Sequence, residues 1–278
     1  MKPSYSEVVE TSRTYYNSSD ADTFYRLLWG GEDIHIGIFE NPQEEVRTAS
    51  RRTVETMANH MEGYLKPEHK VLDLGGGYCG AARYLATRFK CQVTSLNLSD
   101  VQNTYARELN RAQKLDHLVE AVEGSFEAIP FADNSYDLIW SQDAILHSSE
   151  RAKVIAEAAR VLKPGGFFIL SDIMQTQGTP KELLEPVLNR IHLDSLGSYP
   201  FYKKTTNEFG LKEIFMEDLS KNLQLHYQKI HQKMVENQSN LQDKISQTYL
   251  NNMGIGLNHW IDAGKSGYLQ WGIMKFQA

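Results

Sequence analysis

Four glycines stand close together near residue 75 of this 278-residue sequence. The run Val71–Leu74, which is apolar except for Asp73, leads directly into Gly75, Gly76 and Gly77, and Gly80 follows. Glycine allows a tight turn and a close approach of the backbone to a ligand, because no Cβ stands in the way. The spacing of three of them also fits the G-x-G-x-x-G pattern of dinucleotide-binding turns, which is weak evidence by itself. The turn predicts a ligand site.

Asp73 lies two residues before the first glycine of this turn and helps to identify the ligand. A carboxylate beside the turn would repel a pyrophosphate, which weakens the case for a nicotinamide dinucleotide. The same carboxylate can attract the cationic amino group of S-adenosylmethionine. The alternative is a carboxylate that only caps the following turn. We predict S-adenosylmethionine as cofactor and S-adenosylhomocysteine as product, with Asp73, Gly75, Gly76 and Gly77 in the site.

Asn97 follows the next β-rich run, where adenosine-binding folds usually place an acid on the ribose hydroxyls. An asparagine can accept and donate a hydrogen bond there, but it lacks the charge that strengthens such a bond. We therefore expect ribose contact with weaker anchoring, and the alternative is a turn residue that bonds to its own backbone. Leu98 and Gln102 are assigned to the same cofactor site.

Polar and aromatic residues also follow two further β-rich runs. Ser125 and Phe126 are expected near the adenine, and Gln142 and Asp143 are expected to face the cofactor and the substrate. In a doubly wound sheet, ligands bind across the carboxyl ends of the strands. Each segment alone is ordinary loop chemistry, but their shared position after successive strands predicts one site.

Short β-rich runs alternate with helical periodicity between residues 70 and 173. This alternation is typical of a parallel sheet with crossover helices. The predicted strands are 70–75, 92–97, 118–123, 136–142 and 167–173, and the predicted helices are 81–89, 99–114 and 149–162. The segment Lys163–Gly166, which reads Lys-Pro-Gly-Gly, predicts the end of the last helix and a turn into the strand.

The flanking regions show other patterns. Residues 1–40 predict short helices and loops. The segment Asn41–Glu44 has a cap residue, a proline at the first helical position and an acid, which predicts a helix over 41–64. The remaining predictions are a helix over 179–196, an aromatic loop over 198–202, a strand at 211–216, two helices within 220–262 and a last strand at 268–276.

Composition restricts the function further. The net charge of −6 argues against a large phosphate-binding face, so nucleic acid is not an expected partner. Two cysteines, Cys79 and Cys91, and no apolar run after the amino terminus favour a reducing, cytoplasmic setting. No stretch approaches the ~20 apolar residues of a membrane span. The histidines show no paired ligand spacing, so no metal is predicted.

Three motifs resemble those of the class I S-adenosylmethionine-dependent methyltransferases: Asp73–Gly77, Ile129–Asp137 and Arg160–Gly166. The resemblance covers about residues 67–173. It implies a Rossmann-like α/β fold with a seven-stranded sheet, mostly parallel with an antiparallel last strand. The expected organisation is a helical cap over 1–66 and a core over 67–278, with a substrate-side insertion at about 174–208 and a helical insertion at about 220–262.

Four segments more narrowly resemble the sarcosine/dimethylglycine N-methyltransferases of glycine betaine synthesis, and they are Ser19–Tyr25, Trp29–Gly37, Leu96–Ser99 and Ser141–Ser148. The resemblance implies that the cap closes over the cofactor, with Tyr16, Ile36 and Gly37 near the methionine moiety. It also implies a reaction that converts a secondary or tertiary amino acid amine into its next methylated form. No motif is matched beyond residue 174.

Methyl transfer from a sulfonium to an amine is an in-line displacement, in which positioning should dominate. The amine is largely protonated in neutral water, so the site must bind its neutral form or accept a proton. His147 and Asp143 are the predicted proton acceptors, and Tyr16 is included as a catalytic candidate. The alternatives are a helix-start histidine bonded to backbone and a carboxylate that only orients its neighbours.

The substrate side needs two kinds of contact. A quaternary ammonium cannot hydrogen-bond and is best held over aromatic faces. Five residues are predicted to supply such faces: Tyr16, Tyr25, Trp29, Tyr199 and Tyr202. A substrate carboxylate needs a fixed cation, and a planar guanidinium suits it best. Arg190 is the predicted anchor, and the alternative is an exposed, solvated arginine.

Rival functions stay open at this point. A methyltransferase for a phosphoethanolamine-like headgroup or a lipid would need a basic or long apolar pocket, and residues 174–208 offer Lys181, Lys203 and Lys204 but no apolar stripe. A nicotinamide-dependent oxidoreductase is disfavoured by Asp73 and Asn97. Nothing in the sequence excludes a non-catalytic cofactor-binding protein. The expected partner is a small amine, and a homodimer is left open.

Overall fold

One seven-stranded sheet forms the centre of the computed structural model, which describes residues 5–278. Its strands are β1 (Lys70–Leu74), β2 (Gln92–Asn97), β3 (Val119–Glu123), β4 (Tyr136–Gln142), β5 (Leu162–Gln175), β6 (Lys212–Asp218) and β7 (Leu269–Gln277). The spatial order is β3-β2-β1-β4-β5-β7-β6. The strands from β1 to β5 pair in parallel, and β7 runs antiparallel to β5 and β6. The predicted mostly parallel sheet with an antiparallel last strand is confirmed.

Helices cover both faces of this sheet. They are α1 (Glu7–Asn17), α2 (Ser19–Leu28), α3 (Val46–Asn59), α4 (Gly80–Phe89), α5 (Asp100–Ala112), α6 (Arg151–Val161), α7 (Lys181–Arg190), α8 (Tyr199–Glu208), α9 (Lys221–Glu236), α10 (Gln238–Gln242) and α11 (Gln247–Lys265). Among the residues that the structure describes, no helix is both long and apolar enough to cross a bilayer.

Strand β1 shows why the sheet is buried on both sides. Val71 packs with α3 and α4, whereas Leu72 and Leu74 pack with α6 on the other face. Successive side chains of a strand point to opposite faces, so a strand covered on both faces is apolar throughout. The strand order reverses at β1: β2 and β3 lie on one side of it, and the chain then crosses to β4 on the other side. Such a reversal leaves a crevice at the carboxyl ends of the two strands next to it, here β1 and β4.

The start of α3 corrects the prediction of a helix from Asn41. The helix begins at Val46 and ends at Asn59. Asn41 instead makes a turn, because its side-chain oxygen accepts a hydrogen bond from Gln43 N at 3.0 Å and its carbonyl accepts one from Glu44 N at 3.2 Å. The predicted helix cap at Asn41 is therefore wrong, because this residue closes a turn instead.

Three other predictions are also corrected. The predicted aromatic loop over 198–202 is the first turn of α8, where Ser198 caps the helix by accepting a hydrogen bond from Phe201 N at 3.3 Å. The helix predicted over 179–196 is shorter and ends at Arg190. Strand β5 begins at Leu162 instead of 167, since the backbone of Gly165 and Gly166 already pairs with Ala278.

Candidate active site

A cavity opens where β1, β2 and β4 end, and its floor is the glycine turn 75–77; we call it the glycine cavity. Nine of the residues predicted for the cofactor line it: Asp73, Gly75, Gly76, Gly77, Asn97, Leu98, Gln102, Phe126 and Gln142. Residues 32–35, which precede α3, close the opposite side. Elements that are far apart in sequence therefore meet around one ligand-sized space.

The glycine turn needs its lack of side chains. Gly75 has a φ of +76°, and a Cβ at this residue would lie 2.4 Å from Ala144 Cβ. Gly77 has a φ of +51°, and its Cβ would lie 3.2 Å from Ile34 Cδ1. Left-handed backbone and such close neighbours both favour glycine. The turn therefore brings bare backbone to the cavity.

Asp73 is buried beneath this turn with one carboxylate oxygen unpaired. Its Oδ2 has no hydrogen-bond partner among residues 5–278. Burial raises the pKa of Asp73 to about 7. A buried charge is stable only when it is paired, so this carboxyl is suited to a cationic group that enters the glycine cavity.

Two side-chain amides stand at the end of β2. Asn97 Nδ2 donates to Gln102 Oε1 at 3.0 Å, which leaves the Asn97 oxygen free to accept from a ligand hydroxyl. Gln102 is buried, and its Nε2 has no partner in the described part of the chain. Both an acceptor and a donor are thus available for a pair of hydroxyl groups.

A second cavity adjoins the first, and we call it the aromatic cavity. Its lining includes four of the residues predicted to contact the substrate, Tyr16, Tyr25, Trp29 and Arg190, together with Tyr15, Tyr227 and Trp260. Six residues line both cavities and form their shared wall: Ser12, Tyr16, Ile34, His35, Asp143 and His147. A group bound in one cavity can therefore reach a group bound in the other.

Tyr16 and His147 are hydrogen-bonded to each other in the shared wall. The Tyr16 hydroxyl lies 2.9 Å from His147 Nε2, and the two rings meet edge to face. Burial, together with the positive charge of Arg190, lowers the pKa of His147 to about 4. Near neutral pH the imidazole is therefore uncharged, and one ring nitrogen can accept a hydrogen bond.

Asp143 is already satisfied by three donors. Its carboxylate accepts hydrogen bonds from Ile36 N at 2.7 Å, Trp271 Nε1 at 2.8 Å and the Ser171 hydroxyl at 2.9 Å. These donors come from the segment before α3, from β7 and from β5. The carboxylate therefore fastens that segment to the sheet, and His35, beside Ile36, is held in the shared wall.

Arg190, the last residue of α7, reaches the aromatic cavity without a carboxylate partner. Its Nη2 lies 2.8 Å from Met253 Sδ, and its Nη1 has no partner within residues 5–278. No aspartate or glutamate of that range forms an ion pair with it. An enclosed guanidinium in this state is suited to an anionic ligand.

Comparison with known proteins agrees with this geometry. Residues 72–170 match the model of a family described as methyltransferase domain. The chain is 48% identical to the sarcosine/dimethylglycine N-methyltransferase of Aphanothece halophytica, over 97% of both chains. The chain belongs to the sarcosine/dimethylglycine N-methyltransferase family. This methyltransferase is therefore an enzyme with S-adenosylmethionine as its cofactor, and the unpaired oxygen of Asp73 and the bare glycine turn fit that molecule.

Two other matches extend the comparison. The methyltransferase is 47% identical to the glycine/sarcosine/dimethylglycine N-methyltransferase of Actinopolyspora halophila, over 99% of this chain and 48% of that one. It thus spans about half the length of this relative. A Galdieria sulphuraria crystal structure assigned to the sarcosine dimethylglycine methyltransferases is 42% identical, with a TM-score of 0.90 over 95% of this chain and 98% of the other.

Three residues predicted for the cofactor lie outside the glycine cavity of the methyltransferase. The Ser125 hydroxyl is turned inward and accepts from Glu127 N at 3.1 Å. Ile36 lines the aromatic cavity instead. Gly37 lines neither cavity, because it packs so tightly on α3 that a Cβ would lie 2.6 Å from Ala49 Cβ.

Tyr199 and Tyr202 are also corrected, since neither lines the aromatic cavity. Both belong to α8, which packs on α6 and β6 of the methyltransferase. Tyr202 is fully buried and donates its hydroxyl proton to Asp172. Tyr15 of α1, Tyr227 of α9 and Trp260 of α11 line the cavity in their place. Sequence reasoning missed these three because their helices meet only in the folded chain.

A pH test follows from His226 of α9, which is fully buried. Its Nδ1 accepts from Gly37 N at 3.1 Å, so the neutral ring carries its proton on Nε2. Burial lowers the pKa of His226 to about 3. Between the ordinary pKa of ~6.5 and that value, the unfolded chain binds a proton that the folded methyltransferase does not. Stability therefore falls as the pH is lowered through this window.

When the pH is lowered from 7 to 5, the unfolding free energy of the wild type is expected to fall by about 2 kcal/mol more than that of His226→Gln. Urea unfolding at the two pH values measures the difference for each protein. His231→Gln, a partly exposed position on the same helix, controls for removal of a histidine. Equal pH dependence of wild type and His226→Gln would show that the ring is protonated in the folded state.

Proposed function

We propose that this enzyme transfers the methyl group of S-adenosylmethionine to the amine of sarcosine, dimethylglycine or both, toward glycine betaine. Arg190 carries the proposal, because its enclosed guanidinium has no carboxylate partner among residues 5–278 and faces the aromatic cavity. An amino acid substrate would place its carboxylate on Arg190. Its amine would then lie at the wall shared with the glycine cavity.

The aromatic cavity suits the product as well. Tyr25 and Trp29 lie with ring centroids 5.1 Å apart, and Tyr227 stacks on Trp260 at 5.2 Å. Methylation of a tertiary amine yields a quaternary ammonium without hydrogen-bond donors. Aromatic faces attract such a cation by about 0.5–2 kcal/mol each. The same cavity can therefore hold the ammonium group as methyl groups are added to it.

In the proposed mechanism, the bound cofactor supplies an electrophilic methyl group: a C–N bond forms as the S–C bond breaks, and S-adenosylhomocysteine is released. The amine must lose its proton before it attacks. The Tyr16 hydroxyl, fixed by His147 Nε2, accepts a hydrogen bond from the ammonium and aligns the nitrogen. The proton then leaves to solvent, because the lowered pKa of His147 makes that imidazole a weaker base than the amine. Neutral His147 keeps the Tyr16 hydroxyl in place as its hydrogen-bond partner, and Asp143 acts as an orienting carboxylate rather than a base.

Tyr16→Phe is expected to lower kcat about 10- to 100-fold, because it removes the hydroxyl that positions the amine, and a hydrogen bond to a charged group is worth about 1.5–3 kcal/mol. His147→Leu is expected to have a similar effect. If the two residues act as one unit, the double variant is no slower than the slower single variant. Steady-state rates with saturating S-adenosylmethionine measure all three. If the loss of kcat in the double variant equals the product of the two single losses, Tyr16 and His147 act independently and the proposed pair is wrong.

The cofactor residues have proposed roles too. Asp73 would bind the amino group of the methionine moiety, and Asn97 with Gln102 would bind the ribose hydroxyls. Phe126 would contact the adenine, and Gln142 would contact the methionine moiety from β4. The glycine turn 75–77 would approach the cofactor through its backbone. Support comes from their shared lining of the glycine cavity.

The lysines that would favour a phosphorylated substrate lie elsewhere. Lys181 is paired with Asp194 at 3.1 Å, Lys203 with Glu213 at 3.6 Å and Lys204 with Glu208 at 3.8 Å, and none lines the aromatic cavity. The direct experiment supplies methyl-labelled cofactor with sarcosine, dimethylglycine or phosphoethanolamine and identifies products by mass spectrometry. Labelled dimethylglycine or betaine supports the proposal. Turnover of phosphoethanolamine alone, or no turnover, contradicts it.

Other expectations belong to the same proposal. The net charge of −6 supports a protein without a nucleic-acid partner. The cytoplasmic location, the homodimer and a domain boundary between residues 66 and 67 stay predictions. Size-exclusion chromatography with light scattering measures the oligomeric state.

A further inference from the structure

One face of α11 lies directly beneath the Arg190 side chain. Met253, Gly256 and Trp260 are spaced three and four residues apart, so they share one face of that helix. Helix α11 packs against α7, which carries Arg190 at its end. Trp260 also lines the aromatic cavity. Helix α11, which lies in a region without a recognised motif, therefore contacts the candidate substrate anchor.

Gly256 leaves the space that the guanidinium fills. A Cβ at this residue would lie 2.2 Å from Arg190 Nη1, 2.5 Å from Cδ and 2.8 Å from Cζ. These distances are far below normal van der Waals contact. Any side chain at Gly256 must displace Arg190.

Met253 holds the guanidinium without neutralising it. Its sulfur lies 2.8 Å from Arg190 Nη2. A thioether is a weak, uncharged acceptor, so the guanidinium keeps its charge available to a ligand. A carboxylate at this place would instead form an internal ion pair.

We propose that Gly256 and Met253 are positioning residues that hold Arg190 at the depth required by a short amino acid. This inference rests on the proposed function, in which Arg190 binds the substrate carboxylate. The bare backbone of Gly256 sets how far the guanidinium lies from the shared wall.

Gly256→Ala tests the proposal without threatening the fold. The three atoms nearest to the added methyl group all belong to the Arg190 side chain, and alanine has a higher helix propensity than glycine. The variant is expected to keep the thermal stability and the S-adenosylhomocysteine affinity of the wild type. Its KM for dimethylglycine is expected to rise about 10-fold or more, while kcat at saturation changes less.

Gly254→Ala is the matched control, because it lies on the same helix and its Cβ would meet only Met234 Cε, at 3.1 Å. It gains the same helix propensity and should keep the wild-type KM. A wild-type KM in Gly256→Ala, or an equal rise in both variants, overturns the proposal.

Arg190→Ala separates this inference from the proposed function. If Arg190→Ala raises the KM and Gly256→Ala does not, the anchor stands and the positioning role is wrong. If Arg190→Ala leaves the KM unchanged, the proposed carboxylate anchor itself is wrong, and the positioning role with it. If Arg190 is the anchor and Gly256 positions it, the double variant Arg190→Ala/Gly256→Ala has the same KM as Arg190→Ala alone.

Discussion

Arg190→Ala is expected to raise the KM for dimethylglycine about 30- to 1000-fold and to leave the affinity for S-adenosylhomocysteine unchanged. Removing one partner of an enclosed, hydrogen-bonded charge pair costs about 2–4 kcal/mol, which corresponds to this range. The guanidinium has no competing carboxylate within the described residues, so the substrate would lose its principal anchor. Initial rates over a range of dimethylglycine concentrations measure the effect.

Two controls define the cause of that change. Lys181→Ala removes an exposed, ion-paired cation from the same helix and should keep wild-type kinetics. A tertiary amine without a carboxylate, such as N,N-dimethylethylamine, should react poorly with the wild type and no worse with Arg190→Ala. A large loss with this amine too would mean that the arginine supports the fold of the cavity rather than the carboxylate.

Gly75→Ala is expected to weaken the binding of S-adenosylhomocysteine about 10- to 100-fold, since a few hydrogen bonds to the turn are worth about 1.5–3 kcal/mol. A methyl group at Gly75 would lie 2.4 Å from Ala144 Cβ, and neither atom is the end of a flexible chain. The glycine turn or the Ala144 segment must therefore shift. Isothermal titration calorimetry measures the affinity.

Gly165→Ala separates this effect from backbone strain. Gly165 has a φ of +78°, close to the +76° of Gly75, but a Cβ there would meet nothing within 4 Å. Both variants are expected to lose about 1–2 kcal/mol of stability from left-handed backbone. Only Gly75→Ala should lose affinity. Equal affinity of the two variants would show that the turn does not contact the cofactor.

The cofactor half of the site was predictable because it is local in sequence. Asp73, the glycine turn and Asn97 all follow strands, and parallel strands bring their carboxyl ends together at one edge. The sequence therefore indicated both the sheet and the residues along its edge. Ser125 does not line the glycine cavity, because strand position does not determine whether a small hydroxyl points to the cavity or bonds to its own loop.

The substrate half depends on helix packing that periodicity does not specify. Arg190 and Trp29 were predicted because a guanidinium suits a carboxylate and an aromatic ring suits a quaternary ammonium. Tyr227 and Trp260 also line the cavity, but their spacing on helices is that of ordinary core residues. Tyr202 was misplaced for the same reason, since a local aromatic cluster looked like a binding loop and proved to be a buried helix turn. Only the packing of α7, α9 and α11 reveals which aromatic faces surround the guanidinium.

The central claim is that one small amino acid spans from Arg190 to the wall shared with the cofactor. A crystal structure of the enzyme with S-adenosylhomocysteine and dimethylglycine tests it most directly. We expect the carboxylate on the Arg190 guanidinium and the amine nitrogen beside the Tyr16 hydroxyl, facing the sulfur of the cofactor product. Dimethylglycine bound with its carboxylate away from Arg190, or its nitrogen outside the shared wall, would contradict it.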